Sequence, residues 1–213
     1  MFSNSIDGMV TIKLNHEDGK YIEEIPLVIF LLTNFFENRP EHFNREGLFR
    51  VNGDRQKIEE LSIYLSMGDF SILKKFEDCP NEVANFLKEL LRELSEPICP
   101  FNKYSSFRDI QKNLQPGQKL EEIIALLRDL PTLNRSTMIY LARFFKRVSE
   151  FSDQNKMNQY NLAVIVSPNL FRSKELSNID LINQGNFPDV FTVLMNNSEY
   201  ILSRIHQDDS NFA

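Results

Sequence analysis

Apolar residues recur along most of this chain three and four positions apart, the spacing of helix faces, with short polar or proline-marked breaks between the runs. The clearest run opens at Pro80. Val83, Phe86, Leu87, Leu90, Leu91 and Leu94 fall on one face of a helix that Pro97 and Pro100 end. Upstream, from Ile25 to Phe36, apolar side chains cover nearly every side, the pattern of a deeply buried helix. Pro26 suits its first turn, and it ends before Pro40. The stretch 43–55, punctuated by Gly47 and Gly53, reads as a loop, and Asp54 is placed to cap a short helix over 55–65. Residues 71–79 show no period.

Further helices fit 104–113 and, after a break at Pro116-Gly117, a face of Leu120, Ile123, Ile124 and Leu127 that stops at Pro131. Asn134 can cap a longer helix that turns Met138, Leu141, Ala142, Phe145 and Val148 inward. Residues 155–166 form another, limited by Pro168, and 173–185 read as a polar surface loop. The run 187–205 closes the series with Val190, Val193, Leu194, Ile201 and Leu202 as core. Together these predict a single all-α bundle of about eight or nine helices over 25–205, with a tail at 206–213. Residues 1–24 depart from the helical period. Val10, Ile12 and Leu14 alternate with Thr11 and Lys13, and Asp18-Gly19 is a turn signal. A small hairpin and a loose extended arm fit equally.

Composition narrows the function classes. Eighteen Phe and no Trp supply plain core filler, and only seven Gly argue against a barrel or sandwich. The net charge of −6 has the wrong sign for a nucleic-acid binder, which must neutralise phosphates. Cys79 and Cys99 form neither a disulfide framework nor a metal site, and two reduced thiols suit a cytoplasmic protein. The start MFSNSIDGMV is no secretory signal. Phe2 excludes N-myristoylation. The longest apolar run, Leu27 to Leu32, is far short of a membrane span.

No self-contained active site is legible. There is no G-x-x-x-x-G-K-[ST] phosphate loop and no H-E-x-x-H, and His16, His42 and His206 sit in unrelated segments as surface residues. Three features remain. Arg50, in EGLFRVNG, is flanked by Leu48, Phe49 and Val51. Either it is a surface arginine lying over Phe49, or it is an arginine held out and held still by apolar neighbours. On the helix at 80–94, Asn81, Asn85, Lys88 and Arg92 share the stripe opposite the leucines. Lys88 and Arg92 repel at i,i+4, with Glu89 and Glu96 nearby to compensate. That stripe is either a solvated polar face or a cationic patch for an acidic partner. Asn161 and Asn169 bracket the apolar run LAVIV and either serve helix ends and turns or arrange a binding surface.

Three blocks resemble one family. EGLFRVNGD (46–54) resembles the loop that presents the arginine finger in Rho-type GTPase-activating domains, written E-G-I-F-R-x-x-G. VANFLKELLRELSEPICP (83–100) resembles that family's V-x-x-x-L-K-x-F-L-R-E-L-P-E-P-L, and 130–172 its L-P-x-x-N…N-K-M-x-x-x-N-L-A-x-x-F-x-P-N-L-x-R. VLMNNSEYIL (193–202) is similar to its closing helix. Ser95 stands where Pro is usual, Ser167 where Gly is common, and Leu90 replaces an aromatic.

The resemblance implies that Arg50 is a finger supplied in trans to a GTP-bound Rho- or Rac-type small GTPase. It implies that Lys88, Arg92, Asn161, Asn169 and Asn197 (with Asn196 beside it leaving the register open) support the finger and bind the partner. It further implies no cofactor or metal of the chain's own, because GTP and Mg²⁺ belong to the partner, and a monomer in the cytoplasm. The alternative is a GTPase-binding module or scaffold without activating activity.

Overall fold

The computed structural model describes residues 5–15, 22–113, 116–174 and 187–211. They contain a hairpin, β1 (Thr11–Asn15) and β2 (Ile22–Pro26), followed by helices α1 (Leu27–Glu37), α2 (Arg55–Ser66), α3 (Pro80–Glu93), α4 (Tyr104–Asn113), α5 (Pro116–Arg128), α6 (Thr132–Ser149), α7 (Ser152–Asn155), α8 (Gln159–Leu170) and α9 (Pro188–Asn211). Short 3-10 turns occupy Ile6–Gly8, Pro40–Asn44, Phe70–Phe76 and Phe101–Lys103. The fold is all-α, as expected. The helix α9 packs on α5, α6 and α8, and α3 lies between α2 and α8. The turn expected at Asp18-Gly19, the position of His16 and most of the loop expected over 173–185 lie outside the described residues.

The apolar faces read from the sequence go inward. Val83, Leu87 and Leu91 of α3, Ile123, Ile124 and Leu127 of α5, and Met138, Leu141, Ala142, Phe145 and Val148 of α6 are all fully buried. Phenylalanine fills the space where α1, α6 and the 43–49 segment meet. Phe49 lies 4.9 Å from Phe145 and 5.8 Å from Phe36, and Phe43 lies 4.9 Å from Phe151, ring centre to ring centre.

Several local expectations are corrected. The N-terminal residues form the hairpin alternative, with Thr11 opposite Pro26 in an antiparallel register. Pro26 therefore ends β2 rather than sitting inside α1, and the ladder continues through Leu27 N–H to the Val10 carbonyl at 2.8 Å. Glu23 of β2, buried, pairs with Arg143 of α6 and fastens the hairpin to the bundle. The helix expected over 155–166 is split, because Lys156 is left-handed at φ 61°. A new cap follows at Asn158, whose side chain accepts from Asn161 N–H at 2.9 Å. Pro168 does not end α8. It falls in the last turn, and Phe171 N–H still reaches the Ser167 carbonyl at 2.9 Å.

Asn134 is not a cap. It is buried inside α6 and donates to the Ile98 carbonyl at 3.0 Å. His42, expected on the surface, is buried, stacked on Phe35 at 4.5 Å, with Nδ1 donating to the Phe35 carbonyl at 3.2 Å. The unpatterned stretch at 71–79 is mostly the 3-10 turn Phe70–Phe76.

Candidate functional site

A surface arginine is an ordinary sight; what distinguishes Arg50 is how its backbone is held. Leu48 and Phe49 are wholly buried while Arg50 beside them is exposed. The chain turns tightly here, with Gly47 at φ 70° and Phe49 at φ 68°. A left-handed conformation is open to glycine but costs a phenylalanine about 1–3 kcal/mol. Arg50 N–H and Val51 N–H both donate to the Gly47 carbonyl, at 2.7 and 2.8 Å. The Arg50 guanidinium folds back over Gly47: a Cβ there would stand 3.2 Å from Nη2, and 2.6 Å from Val51 Cγ2. Its guanidinium makes no hydrogen bond or ion pair with other described residues.

Gly47→Ala therefore combines left-handed strain with a clash against the loop's own side chains. Its expected cost is at least about 1–2 kcal/mol in denaturant unfolding. An unchanged midpoint would show that the loop is softer than this geometry.

The helix α3 grips the segment after the turn at successive points. Lys88 Nζ donates to the Phe49 carbonyl at 2.5 Å, Asn85 Nδ2 to the Val51 carbonyl at 2.9 Å, and Glu82 Oε1 accepts from Asp54 N–H at 3.2 Å. Positions 82, 85 and 88 are three apart and so share a helix face, while the loop they hold runs the opposite way. A Cβ on Gly53 would come within 3.0 Å of the Glu82 backbone, so the loop and the first turn of α3 are in close contact. The stripe opposite the leucines is thus neither solvated nor freely available along its whole length: its first part is the bed of this loop. Asp54 then caps α2, accepting from Gln56 N–H and Lys57 N–H, as the sequence indicates.

Charge gathers at the far end of that stripe. Burial, and after it the Arg92 charge, hold the Lys88 ammonium below the usual lysine range, with Glu89 partly offsetting both. Arg92 is exposed and 3.9 Å from Glu89, which also accepts from Arg55 Nη1 at 2.6 Å. Glu96, expected to help Arg92, instead accepts from Phe101 N–H at 3.0 Å. Arg172 joins this group and has no counterpart among the expected site residues. It donates to the Leu94 carbonyl at the end of α3, and burial followed by the Arg92 charge lowers its pKa.

A second support comes from the α7–α8 junction. Gly47 N–H donates to the Asn155 carbonyl at 2.7 Å. Asn155 is fully buried; its Nδ2 donates to the Phe43 and Val148 carbonyls, both at 2.9 Å, and its Oδ1 accepts from Met157 N–H at 2.7 Å. Sequence reasoning assigned Asn155 no role, although the N-K-M motif that contains it was visible. Asn161 reaches the same junction, with Nδ2 3.4 Å from the Lys156 carbonyl. The structure thus brings Arg50 and Lys88 together at one loop, while Arg92 lies one turn beyond Lys88 on α3 and the Asn161 bond stays within the junction that holds Gly47. Asn169 donates to the Ile165 and Val166 carbonyls, and Asn197 to the Val193 carbonyl. These bonds lie within α8 and α9 and do not tie either residue to the loop.

Among the described residues no group of three or more His, Cys, Asp or Glu could hold a metal ion, and no helix is long and apolar enough to cross a membrane. Cys99 is buried and its thiol pushed well up by that burial, while Lys57 Nζ lies 3.3 Å from Cys79 Sγ.

A family model described as RhoGAP domain matches residues 26–175, more than half the chain. The chain is 39% identical over 143 residues to Rho GTPase-activating protein gacY of Dictyostelium discoideum, covering 67% of this chain and 20% of that protein. It is 32% identical over 151 residues to Rho GTPase-activating protein 24 of Homo sapiens, covering 70% and 20%. The chain thus aligns with about a fifth of the length of these two relatives. Among solved structures it resembles the BH domain from GRAF, the GTPase regulator associated with focal adhesion kinase, with TM-score 0.69, 25% identity, and coverage of 83% of this chain and 93% of that one. Human Rho GTPase activating protein 15, with TM-score 0.73, 21% identity and 83% coverage of each chain, shares the fold.

Proposed function

The chain belongs to the RhoGAP domain family, and we propose that it accelerates GTP hydrolysis by a Rho- or Rac-type small GTPase in its GTP-bound state, with Arg50 supplied in trans. The observation that carries this reading is an exposed guanidinium without a partner among the described residues, on a backbone held on both sides of it.

The partner contributes the nucleotide, its Mg²⁺ and the attacking water. Cleavage of the terminal phosphoryl group spreads negative charge over its oxygens and the leaving bridge, and a fixed positive charge stabilises the transition state more than the ground state. An arginine suits the task because its planar fork can bond two oxygens at once. The guanidinium needs only side-chain rotation away from Gly47, since the loop backbone is already ordered. Lys88 braces the loop from α3, and Asn161 supports the α7–α8 junction whose Asn155 carbonyl holds Gly47. Arg92, with Asn169 and Asn197 on the surfaces of α8 and α9, meets the acidic and polar side chains of the partner.

The test is a panel of Rho- and Rac-type GTPases loaded with GTP and mixed with the chain. At least one member is expected to hydrolyse its GTP about 10³-fold faster or more, within the range of an arginine finger. Tight binding without acceleration would favour the binding-only module. Failure to bind any GTP-loaded or fluoride-trapped member would remove the GTPase reading altogether.

A further inference from the structure

The two carbonyls flanking Arg50 are each held by one side chain of α3. Lys88 takes that of Phe49, and Asn85 takes that of Val51. Asn85 has two amide hydrogens and both are used, the second donating to the Asn81 carbonyl of its own helix at 2.8 Å. Its amide therefore bridges the α3 backbone to the loop, with its orientation fixed by the need to satisfy a donor at each end. Asn85 is buried, so losing either bond leaves a donor without water to replace it.

We propose that Asn85 is a positioning residue for the Arg50 guanidinium. It touches no nucleotide. It sets the peptide plane after Val51, as Lys88 sets the plane before Arg50, and the two together fix the direction in which the Arg50 side chain leaves the loop. The inference rests on the reading of Arg50 as the group acting in trans. Asn85 is a cleaner probe of that reading than Lys88. Lys88 is a half-buried ammonium to which the family resemblance also gives a part in partner binding, whereas Asn85 lies beneath the loop with its donors consumed. A displacement of about 1 Å at a reacting group can cost about a hundredfold in rate, and with Lys88 still in place about tenfold is expected.

The experiment uses single-turnover hydrolysis at saturating chain, on the GTPase that the wild type stimulates best. Asn85→Asp keeps the shape but turns a carboxylate toward the Val51 carbonyl, and Asn85→Ala removes the donor without adding charge. Each is made alone and together with Arg50→Ala. Rates are expressed per binding-competent molecule, counted by titration with the GTPase holding a non-hydrolysable GTP analogue, so partial unfolding does not enter. The expected result is a maximal rate about tenfold lower for both variants, a dissociation constant within about threefold of wild type, and no further loss when Arg50 is already alanine. Wild-type maximal rates in both variants would overturn the proposal, as would a loss of the same size with and without Arg50. If instead Arg50→Ala alone were fully active, the reading of Arg50 would fail first, a different outcome from failure at Asn85.

Discussion

Replacing Arg50 with alanine is expected to lower stimulated GTP hydrolysis by at least about a hundredfold and to leave the fold and the complex with the GTP-bound partner largely intact. The two halves of this expectation have separate grounds. The rate half follows from transition-state charge: a hundredfold is about 2.7 kcal/mol, one fixed guanidinium in a site from which water is excluded. The stability half follows from the side chain's surroundings. It is exposed and carries no hydrogen bond or ion pair to other described residues, and removing such a side chain usually changes stability by less than about 0.5 kcal/mol. The pinned groups are the carbonyls of Phe49 and Val51 and the amides of Gly47, Arg50 and Val51, all of which alanine preserves. Arg50→Lys restores the charge without the fork and should recover only part of the rate. A single-turnover assay in which the alanine variant matched wild type would remove Arg50 from the mechanism.

The inward faces of α3, α5 and α6 were readable in the sequence because their period depends only on which residues are apolar, and so was the Asp54 cap, whose acceptor and donors lie within three residues. The loop with Arg50 was conspicuous for the same reason: its apolar neighbours and glycines are contiguous. Its supports were not. Asn155 acts through the Phe43 carbonyl, 112 positions away, and nothing local to the DQNKM stretch marks that pairing. Asn85 looked like part of a polar face because the segment that covers it comes from upstream of α2. Asn134 and His42 differ from the expected cap and surface residue for one reason: a polar side chain in sequence gives no sign of the carbonyl outside its own helical turn that satisfies it when buried. Pro26 reads as a helix start but ends β2, because a proline fits both positions.

Nor did anything in the sequence mark Phe49 as left-handed, and this conformation makes it the most demanding residue of the loop. Phe49→Ala is expected to destabilise the protein by about 3–5 kcal/mol, the range for a buried phenylalanine lost from a close-packed core. Its ring is fully buried among Phe36, Phe144 and Phe145, and helices on several sides cannot all collapse into the space it leaves. In a chain of this size the unfolding midpoint should fall by roughly 6–20 °C.

The backbone adds a second, sharper test. At φ 68° alanine keeps the strain that phenylalanine bears, while glycine sheds it. Phe49→Gly should therefore be more stable than Phe49→Ala by about 1 kcal/mol, the reverse of the usual order within regular structure. The native protein tolerates the strain because the ring's burial and the Lys88 bond to the same residue's carbonyl outweigh it, and that strained turn is what puts Arg50 outside while its neighbour is inside. Equal melting of the glycine and alanine variants would mean that residue 49 relaxes out of the left-handed region once its ring is gone. The direction of Arg50 would then depend on the phenylalanine side chain rather than on the turn.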